Sequence, residues 1–132
     1  MKFLLDNCFA PRVAQSIADL RGGKAVCHQH DKFALDASDE TIVQALAAEG
    51  GWTILSGDLN LARLRHQRRA LRAYKVTVFS LAPGWLDLKL WEQASLLIRR
   101  WPEVEREAEA AEAGAMVEIP VKDVAPFRKL GR

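Results

Sequence analysis

The sequence has little of what would mark a secreted, membrane or highly charged protein. Two cysteines, Cys8 and Cys27, occur in 132 residues, too few for a disulfide framework, so we expect a cytoplasmic protein. The chain has no run of about 18 apolar residues, and we expect no membrane span. Asp6 interrupts the apolar start where a signal peptide would continue, so we expect no export signal. The formal net charge of +2 is too small to indicate nucleic-acid binding by itself.

Several catalytic and metal-binding patterns are also absent from the sequence. No glycine-rich loop leads into a lysine, which disfavours ATP or GTP hydrolysis. No Ser–His–acid pattern stands out. Cys27, His28 and His30, taken with Cys8, match no common structural zinc spacing, so zinc is a minor alternative.

What the chain does contain is an alternation of predicted strands and helices. Strands are predicted at 2–5, 24–27, 52–55, 75–81 and 116–121. Helices are predicted at 11–20, from residue 39 to the Gly50–Gly51 pair, at 60–73, at 86–100 and again from Pro102 to 113. Residues 28–37 read as irregular, and 126–132 as a basic tail. We predict one α/β domain over 1–132, with a mainly parallel central sheet flanked by helices and with 83–132 as a helical C-terminal portion and short tail.

Three acids lie at points of this pattern that a parallel sheet brings together. Asp6 ends the first predicted strand, and Asp58 follows the strand at 52–55. Asp39 follows the helix-capping Ser38, and a helix that crosses between strands begins where a strand has ended. Taken alone, Asp58 is explained equally well as a turn residue, Asp6 less well, and Asp39 and Glu40 are better explained as ordinary helix-start residues. Their combination predicts convergence at the carboxyl edge of the sheet, with Glu40 about 100° round the helix from Asp39.

Converging carboxylates predict a divalent metal. Carboxylates held together repel each other, and a cation removes that cost. Oxygen ligands suit Mg²⁺ or Mn²⁺, which activate water and neutralise phosphodiester charge. We therefore predict Asp6, Asp39 and Asp58 as catalytic metal ligands, with Glu40 and Asn60 assisting.

A basic stretch follows the last of these acids. It predicts contacts to the phosphate backbone of RNA, with affinity that falls as salt rises. An ordinary solvated helix face explains the same charges, and both interpretations stay open. The predicted RNA-binding residues are Arg63, Arg65, Arg68, Arg69 and Arg72.

The sequence resembles the PIN-like domain, specifically its compact branch related to VapC-type toxins. The resemblance is carried by residues 2–6, 37–42 and 54–58, and by the proline-started helix between the first two of these segments. The resemblance covers about 1–81. It implies a Rossmann-like sheet, three or four acids that bind Mg²⁺ or Mn²⁺, ribonuclease activity and, often, pairing with an antitoxin. By position, Asp6 is the first-strand ligand, Asp39 the helix-start acid with Glu40 as its rival, and Asp58 the acid after the later strand.

The sequence departs from the family pattern at two places. Relatives often carry Asp-Glu-Asn after the first strand, where this chain has Asp6, Asn7 and Cys8. Asn60 stands where many relatives have a further acid, which favours the alternative of a catalytically weak or inactive module that binds RNA or a protein partner. A Mg²⁺-dependent phosphatase is disfavoured, because its paired-Asp motif is absent after Asp6.

The predicted partners are an RNA substrate, an antitoxin protein and a second copy of the chain. The homodimer is expected because a small α/β domain with an amphipathic C-terminal helix often dimerises. We interpret three tryptophans, Trp85, Trp91 and Trp101, as core or interface residues rather than as side chains that stack on RNA bases.

Overall fold

The computed structural model describes residues 1–22, 25–57, 69, 71–122 and 124–130. These residues form six strands of one sheet: β1 (Lys2–Leu5), β2 (Val26–His28), β3 (Trp52–Ser56), β4 (Thr77–Leu81), β5 (Met116–Ile119) and β6 (Arg128–Lys129). The strand order is β2-β1-β3-β4-β5-β6. The first five strands are parallel, and β6 is antiparallel to β5. The predicted α/β fold with a mainly parallel sheet is therefore confirmed.

Four helices are labelled α1 (Pro11–Leu20), α2 (Gln29–Lys32), α3 (Asp39–Glu49) and α4 (Leu90–Ala110). Residues 71–74 are also helical, and Trp85–Asp87 form a short 3₁₀ helix. Local signals explain two starts: Pro11 opens α1, and the Ser38 hydroxyl accepts a hydrogen bond of 3.1 Å from the Thr41 amide at the start of α3. No helix among the described residues is long and apolar enough to cross a membrane.

Side chains that alternate along the strands divide the core into two layers. Phe3 and Leu5 of β1 face the layer that contains α1 and α4. Leu4 faces the opposite layer, where it meets Ile42 and Leu46 of α3. The sheet is therefore covered on both faces, as a parallel sheet requires.

The order of the strands creates a switch point between β1 and β3. From β1 the chain passes to β2 on one side, and then to β3 on the other. Crossover connections leave this pair of strands in opposite directions, and the crevice at their carboxyl ends is where open α/β sheets bind ligands.

Several predicted boundaries are wrong, and local backbone geometry explains some of them. The second strand begins at Val26 and includes His28, because Ala25 has a left-handed φ of 62° that extended structure does not permit. Lys75 has a φ of 57°, so β4 starts at Thr77 rather than at 75. The segment predicted as irregular at 28–37 contains the short helix α2.

The C-terminal part differs most from the prediction. The two helices predicted at 86–100 and from Pro102 to 113 are one helix, α4, which begins at Leu90 and ends at Ala110, after a short 3₁₀ helix at Trp85–Asp87. Buried residues on both sides of the proline, such as Leu97 and Val104, give α4 a continuous apolar stripe. The predicted basic tail contributes β6 to the sheet. β5 ends at Ile119, directly before Pro120, which has no N–H to extend the ladder.

A buried arginine fastens this C-terminal segment to α4. Arg100 is 1% exposed. Its guanidinium donates hydrogen bonds of 2.7 and 2.8 Å to the carbonyls of Lys122 and Ala125, and pairs with Glu103 at 2.9 Å. It also lies 4.9 Å from the ring of Phe127. Arg100 therefore holds in place the turn that leads into β6.

Candidate functional site

Asp6 lies at the carboxyl end of β1, at the switch point. In the register of β1 and β3, Leu5 pairs with Leu55, so Asp6 comes beside Ser56 at the end of β3. The Asp6 amide donates a 3.0 Å hydrogen bond to the Leu55 carbonyl, which continues the ladder by one residue. Strand pairing therefore fixes the position of the Asp6 backbone.

Hydrogen bonds orient the Asp6 carboxylate. Oδ2 accepts a 2.6 Å bond from the Ser56 hydroxyl. Oδ1 accepts from the backbone amides of Cys8 at 3.0 Å and Gly57 at 3.4 Å. Burial nevertheless raises the pKa of Asp6 above its usual 3.8, although these hydrogen bonds act in the opposite direction. The described residues thus hold the carboxylate in place by hydrogen bonds from neutral donors.

Asp6 and Asp39 line the same cleft, which we call the acid cleft. It has a volume of about 450 Å³. Its described polar lining residues are Asp6, Asn7, Cys8, Gln29, Asp39 and Ser56, and its described apolar lining residues are Leu4, Leu35, Ala37, Ile42, Val43, Ile54, Leu71 and Val78. The start of α3 thus comes to the carboxyl edge of the sheet, and two of the three predicted acids border one space.

Glu40, the rival of Asp39, occupies a different position. It is exposed, and its carboxylate accepts a 3.2 Å hydrogen bond from Gln44 one turn further along α3. Gln44 also donates to the hydroxyl of Tyr74 at 3.0 Å. Glu40 is not among the described residues that line the acid cleft.

Other predicted site residues fall partly or wholly outside the described residues. Asp58, Asn60, Arg63, Arg65 and Arg68 lie outside them, as does most of the predicted helix at 60–73. Arg69 and Arg72 are exposed. The backbone of Arg72 lies beside Gly114, just before β5 begins, so Arg72 is at the edge of the sheet opposite Asp6. The structure does not bring Arg72 to the acid cleft.

The donor chemistry of the acid cleft fits a divalent metal. Two aspartates line it, and its described lining residues include no lysine, arginine or histidine. Within the described ranges, no group of three or more His, Cys, Asp or Glu residues is arranged to hold a metal ion. Asp39 and Asp6 therefore supply part of a hard oxygen donor set, and Asp58 directly follows Gly57, whose amide bonds to Asp6.

The minor zinc alternative meets an obstacle at His28. The ring is 1% exposed, and Nδ1 accepts a 3.1 Å hydrogen bond from the His30 amide. Nε2 must then carry the proton, and it donates to the Phe9 carbonyl at 2.7 Å. Both ring nitrogens are engaged within the protein, so His28 ties the loop after β1 to the end of β2 rather than offering a metal ligand.

Sequence reasoning gave no role to two residues that border the acid cleft. Ser56 directly precedes Gly57 and Asp58, and Gln29 lies in the segment predicted to be irregular. Ser56 ends β3 and Gln29 directly follows β2, so their position at the carboxyl ends of the two strands beside β1 is the signal that could have found both.

The chain was compared with known proteins. The family model described as PIN like domain matches residues 1–83, more than half of the 132 residues. No curated protein and no solved structure matches the chain. The matched residues contain β1 to β4, and therefore the strands and the helix that carry Asp6 and Asp39.

Proposed function

The chain belongs to the PIN-like domain family, and from this premise we propose that it is a metal-dependent endoribonuclease that hydrolyses RNA phosphodiester bonds. We also propose that the domain continues beyond the matched residues to include 84–132. The support for this extent is that β5 pairs in parallel with β4, and β6 with β5, in the same sheet.

The observation that carries the proposal is the placement of Asp6. Its carboxylate is oriented by three hydrogen bonds at the switch point of the sheet, yet burial works against its charge. The bond from the Cys8 amide is one that an ordinary Asx turn also makes, whereas the bonds from Ser56 and Gly57 come from the end of the neighbouring strand. A carboxylate oriented in this way suits a cation, because the ligand is ordered before the cation arrives.

In the proposed site, Asp6, Asp39 and Asp58 hold Mg²⁺ or Mn²⁺, with Asn60 assisting. The assisting role expected for Glu40 is not retained, because Glu40 is exposed and is not among the described residues that line the acid cleft. The bound ion supplies a Lewis acid that activates water and neutralises charge on the phosphodiester. Ser56 and the amides of Cys8 and Gly57 keep the Asp6 carboxylate oriented. The acid cleft admits the nucleotide next to the bond that is cut.

RNA binding is assigned to the basic stretch after Asp58. The proposed residues are Arg63, Arg65, Arg68, Arg69 and Arg72. The exposure of Arg69 and Arg72 supports this role, since both are open to a phosphate backbone. Because Arg72 lies at the far edge of the sheet, a bound polynucleotide would extend across the domain beyond the acid cleft. Its affinity should fall as salt rises.

The biological setting that we propose is that of a VapC-type toxin. The protein would act in the cytoplasm as a homodimer and would be inhibited by an antitoxin. Overexpression of the wild type is then expected to arrest growth, and the Asp6→Asn variant to leave growth unaffected. A neighbouring gene for a small DNA-binding protein would supply the antitoxin. Growth arrest that persists with Asp6→Asn would overturn the toxin assignment.

The test of the nuclease proposal is cleavage of a structured RNA by purified protein in Mn²⁺ or Mg²⁺. We expect the wild type to cut, EDTA to stop it, and Asp6→Asn to reduce the rate at least 100-fold, as expected when a transition-state contact is lost. The matched control is Asp19→Asn, an exposed aspartate of α1 whose carboxylate accepts a hydrogen bond from Gln15. Equal rates for both variants would contradict the proposal.

A second candidate function is a PIN-like module that binds RNA or a protein partner without cutting. Asn60 favours it, because many relatives have an acid at that position. This candidate predicts RNA binding by the wild type with no cleavage in either metal, and growth that overexpression does not change.

A further inference from the structure

Gln29 lies next to Asp6 on the side opposite Ser56. In the register of β1 and β2, Leu5 pairs with His28. Asp6 directly follows Leu5, and Gln29 directly follows His28 as the first residue of α2, so both residues lie at the same end of this pair of strands. Both residues line the acid cleft. Asp6 thus has Ser56 of β3 on one side and Gln29, at the start of α2, on the other.

Within the part of the chain that the structure describes, no hydrogen bond engages the side-chain amide of Gln29, although the residue is partly buried. Its backbone is well fixed. The buried bond from His28 to the Phe9 carbonyl joins this position to the loop after β1, and the Gln29 carbonyl accepts from the Phe33 amide at 2.9 Å. A fixed backbone therefore presents an unused donor and acceptor to the acid cleft.

The chemistry of an amide indicates which part of a nucleotide it would meet. A phosphate attracts cationic side chains, whereas the edge of a nucleobase offers donors and acceptors together, which a glutamine or asparagine amide matches. Leu35, which is 81% exposed, lines the same cleft and offers an apolar surface to the face of a base. A volume of about 450 Å³ is within the range of small-ligand sites.

We propose that Gln29 selects the nucleobase that enters the acid cleft. The base of a nucleotide beside the acids packs against Leu35, and its edge exchanges hydrogen bonds with the Gln29 amide. The substrate is therefore RNA with an unpaired base at this position. The inference rests on the proposed function in that it takes the ligand of the acid cleft to be RNA, but base selection does not require cleavage.

The experiment measures binding of dye-labelled hexamers of rA, rC and rU by fluorescence anisotropy in EDTA, where metal-dependent cutting is off. We expect the wild type to prefer one hexamer by about 5-fold to about 150-fold, the range of a good amide–base contact. Gln29→Ala and Gln29→Glu should both lose the preference, and the affinity for the weakest hexamer should change less than about twofold. Gln15→Ala, which alters an exposed glutamine of α1 that bonds to Asp19, is the matched control.

Each outcome decides the inference separately from the nuclease proposal. The proposal that Gln29 selects the base would be overturned if Gln29→Ala leaves the preference intact or loses affinity equally for all three hexamers. It would also be overturned if the wild type binds none of the hexamers or binds all of them alike. A preference lost in Gln29→Ala, in a protein that cuts no RNA in Mn²⁺, would uphold it and overturn the nuclease. Thermal melting of each variant excludes unfolding as the cause.

Discussion

The Ser56 hydroxyl and the Asp6 carboxylate lie 2.6 Å apart and join the ends of two neighbouring parallel strands. The Ser56 hydroxyl, like the amides of Cys8 and Gly57, donates a hydrogen bond to this carboxylate, and these bonds act against the rise in its pKa that burial causes. The charged form of Asp6 therefore costs free energy in the folded protein alone, and a cation bound beside it would offset that cost.

The first prediction is that Asp6→Asn raises the stability of the metal-free protein at neutral pH. The raised pKa means that the folded state holds the Asp6 proton more tightly than the unfolded state. In the wild type, Asp6 therefore contributes stability at pH values below its ordinary pKa of 3.8. This contribution is lost as the pH rises from 3.8 through the raised pKa of Asp6 in the folded state. Asparagine has no such charge, and its amide oxygen still accepts from Cys8 and Gly57 while its NH₂ donates to Ser56.

Urea unfolding in EDTA at a series of pH values checks this prediction. The difference in unfolding free energy between Asp6→Asn and the wild type should move in favour of the variant as pH rises above 3.8. A difference that is constant with pH would show that Asp6 has the same pKa in both states.

The second prediction concerns the close approach of the loops after β1 and β3. A Cβ added to Gly57 would lie 2.7 Å from the Cβ of Cys8, a distance that requires one of the loops to move. Gly57→Ala should therefore cost about 1–3 kcal/mol, the usual cost of overpacking, and should weaken metal binding. Because the clash is with a Cβ, Cys8→Ala should not relieve it, whereas Cys8→Gly should recover part of the loss. Additive effects of Gly57→Ala and Cys8→Gly in a double-mutant cycle would contradict this account.

The third prediction separates two adjacent acids. Asp39 lines the acid cleft, whereas Glu40 is exposed and accepts a hydrogen bond from Gln44. Asp39→Asn should lower the cleavage rate at least about tenfold more than Glu40→Gln, because a ligand lost from a metal site typically costs activity of this order or more. Rates of RNA cleavage at saturating Mn²⁺ give the comparison. A larger loss for Glu40→Gln would make Glu40 the ligand.

The fourth prediction tests how the C-terminal segment is held. Arg100→Met removes hydrogen bonds to the carbonyls of Lys122 and Ala125, and should cost at least about 1.5–3 kcal/mol, the worth of one hydrogen bond to a charged group. Proteolysis at 120–130 should become faster. Arg106→Met, on an exposed position of the same helix, should change neither property. Equal stability of the two variants would show that the buried arginine does not hold the segment.

How much of this the sequence could predict depended on whether the signal was local. Pro11 and Ser38 fixed the starts of α1 and α3, since a proline at the first turn and a serine cap act within a few residues. The place of Asp6 followed from parallel strand order, which strand–helix alternation indicates. The sequence therefore predicted the fold and the elements that carry two of the acids.

The remaining features depend on contacts between distant residues. Gln29 comes next to Asp6 only because of the pairing of β1 and β2, in which Leu5 meets His28, and no short window of sequence contains this register. Likewise, Pro102 seemed to divide a helix, but tertiary burial on both of its sides overrides its cost, which is about 3 kcal/mol in a helix interior. Arg100 also bonds to carbonyls 22 and 25 residues further along the chain, contacts that no local pattern indicates.

The most direct test of the central claim, that Asp6 is a metal ligand, is calorimetric titration of the protein with Mn²⁺. We expect the wild type to bind, and Asp6→Ala to weaken binding at least about tenfold, while the matched variant Asp19→Ala binds like the wild type. A wild type that binds no Mn²⁺, or an Asp6→Ala variant with unchanged affinity, would contradict the account and leave Asp6 as a structural residue at the end of its strand.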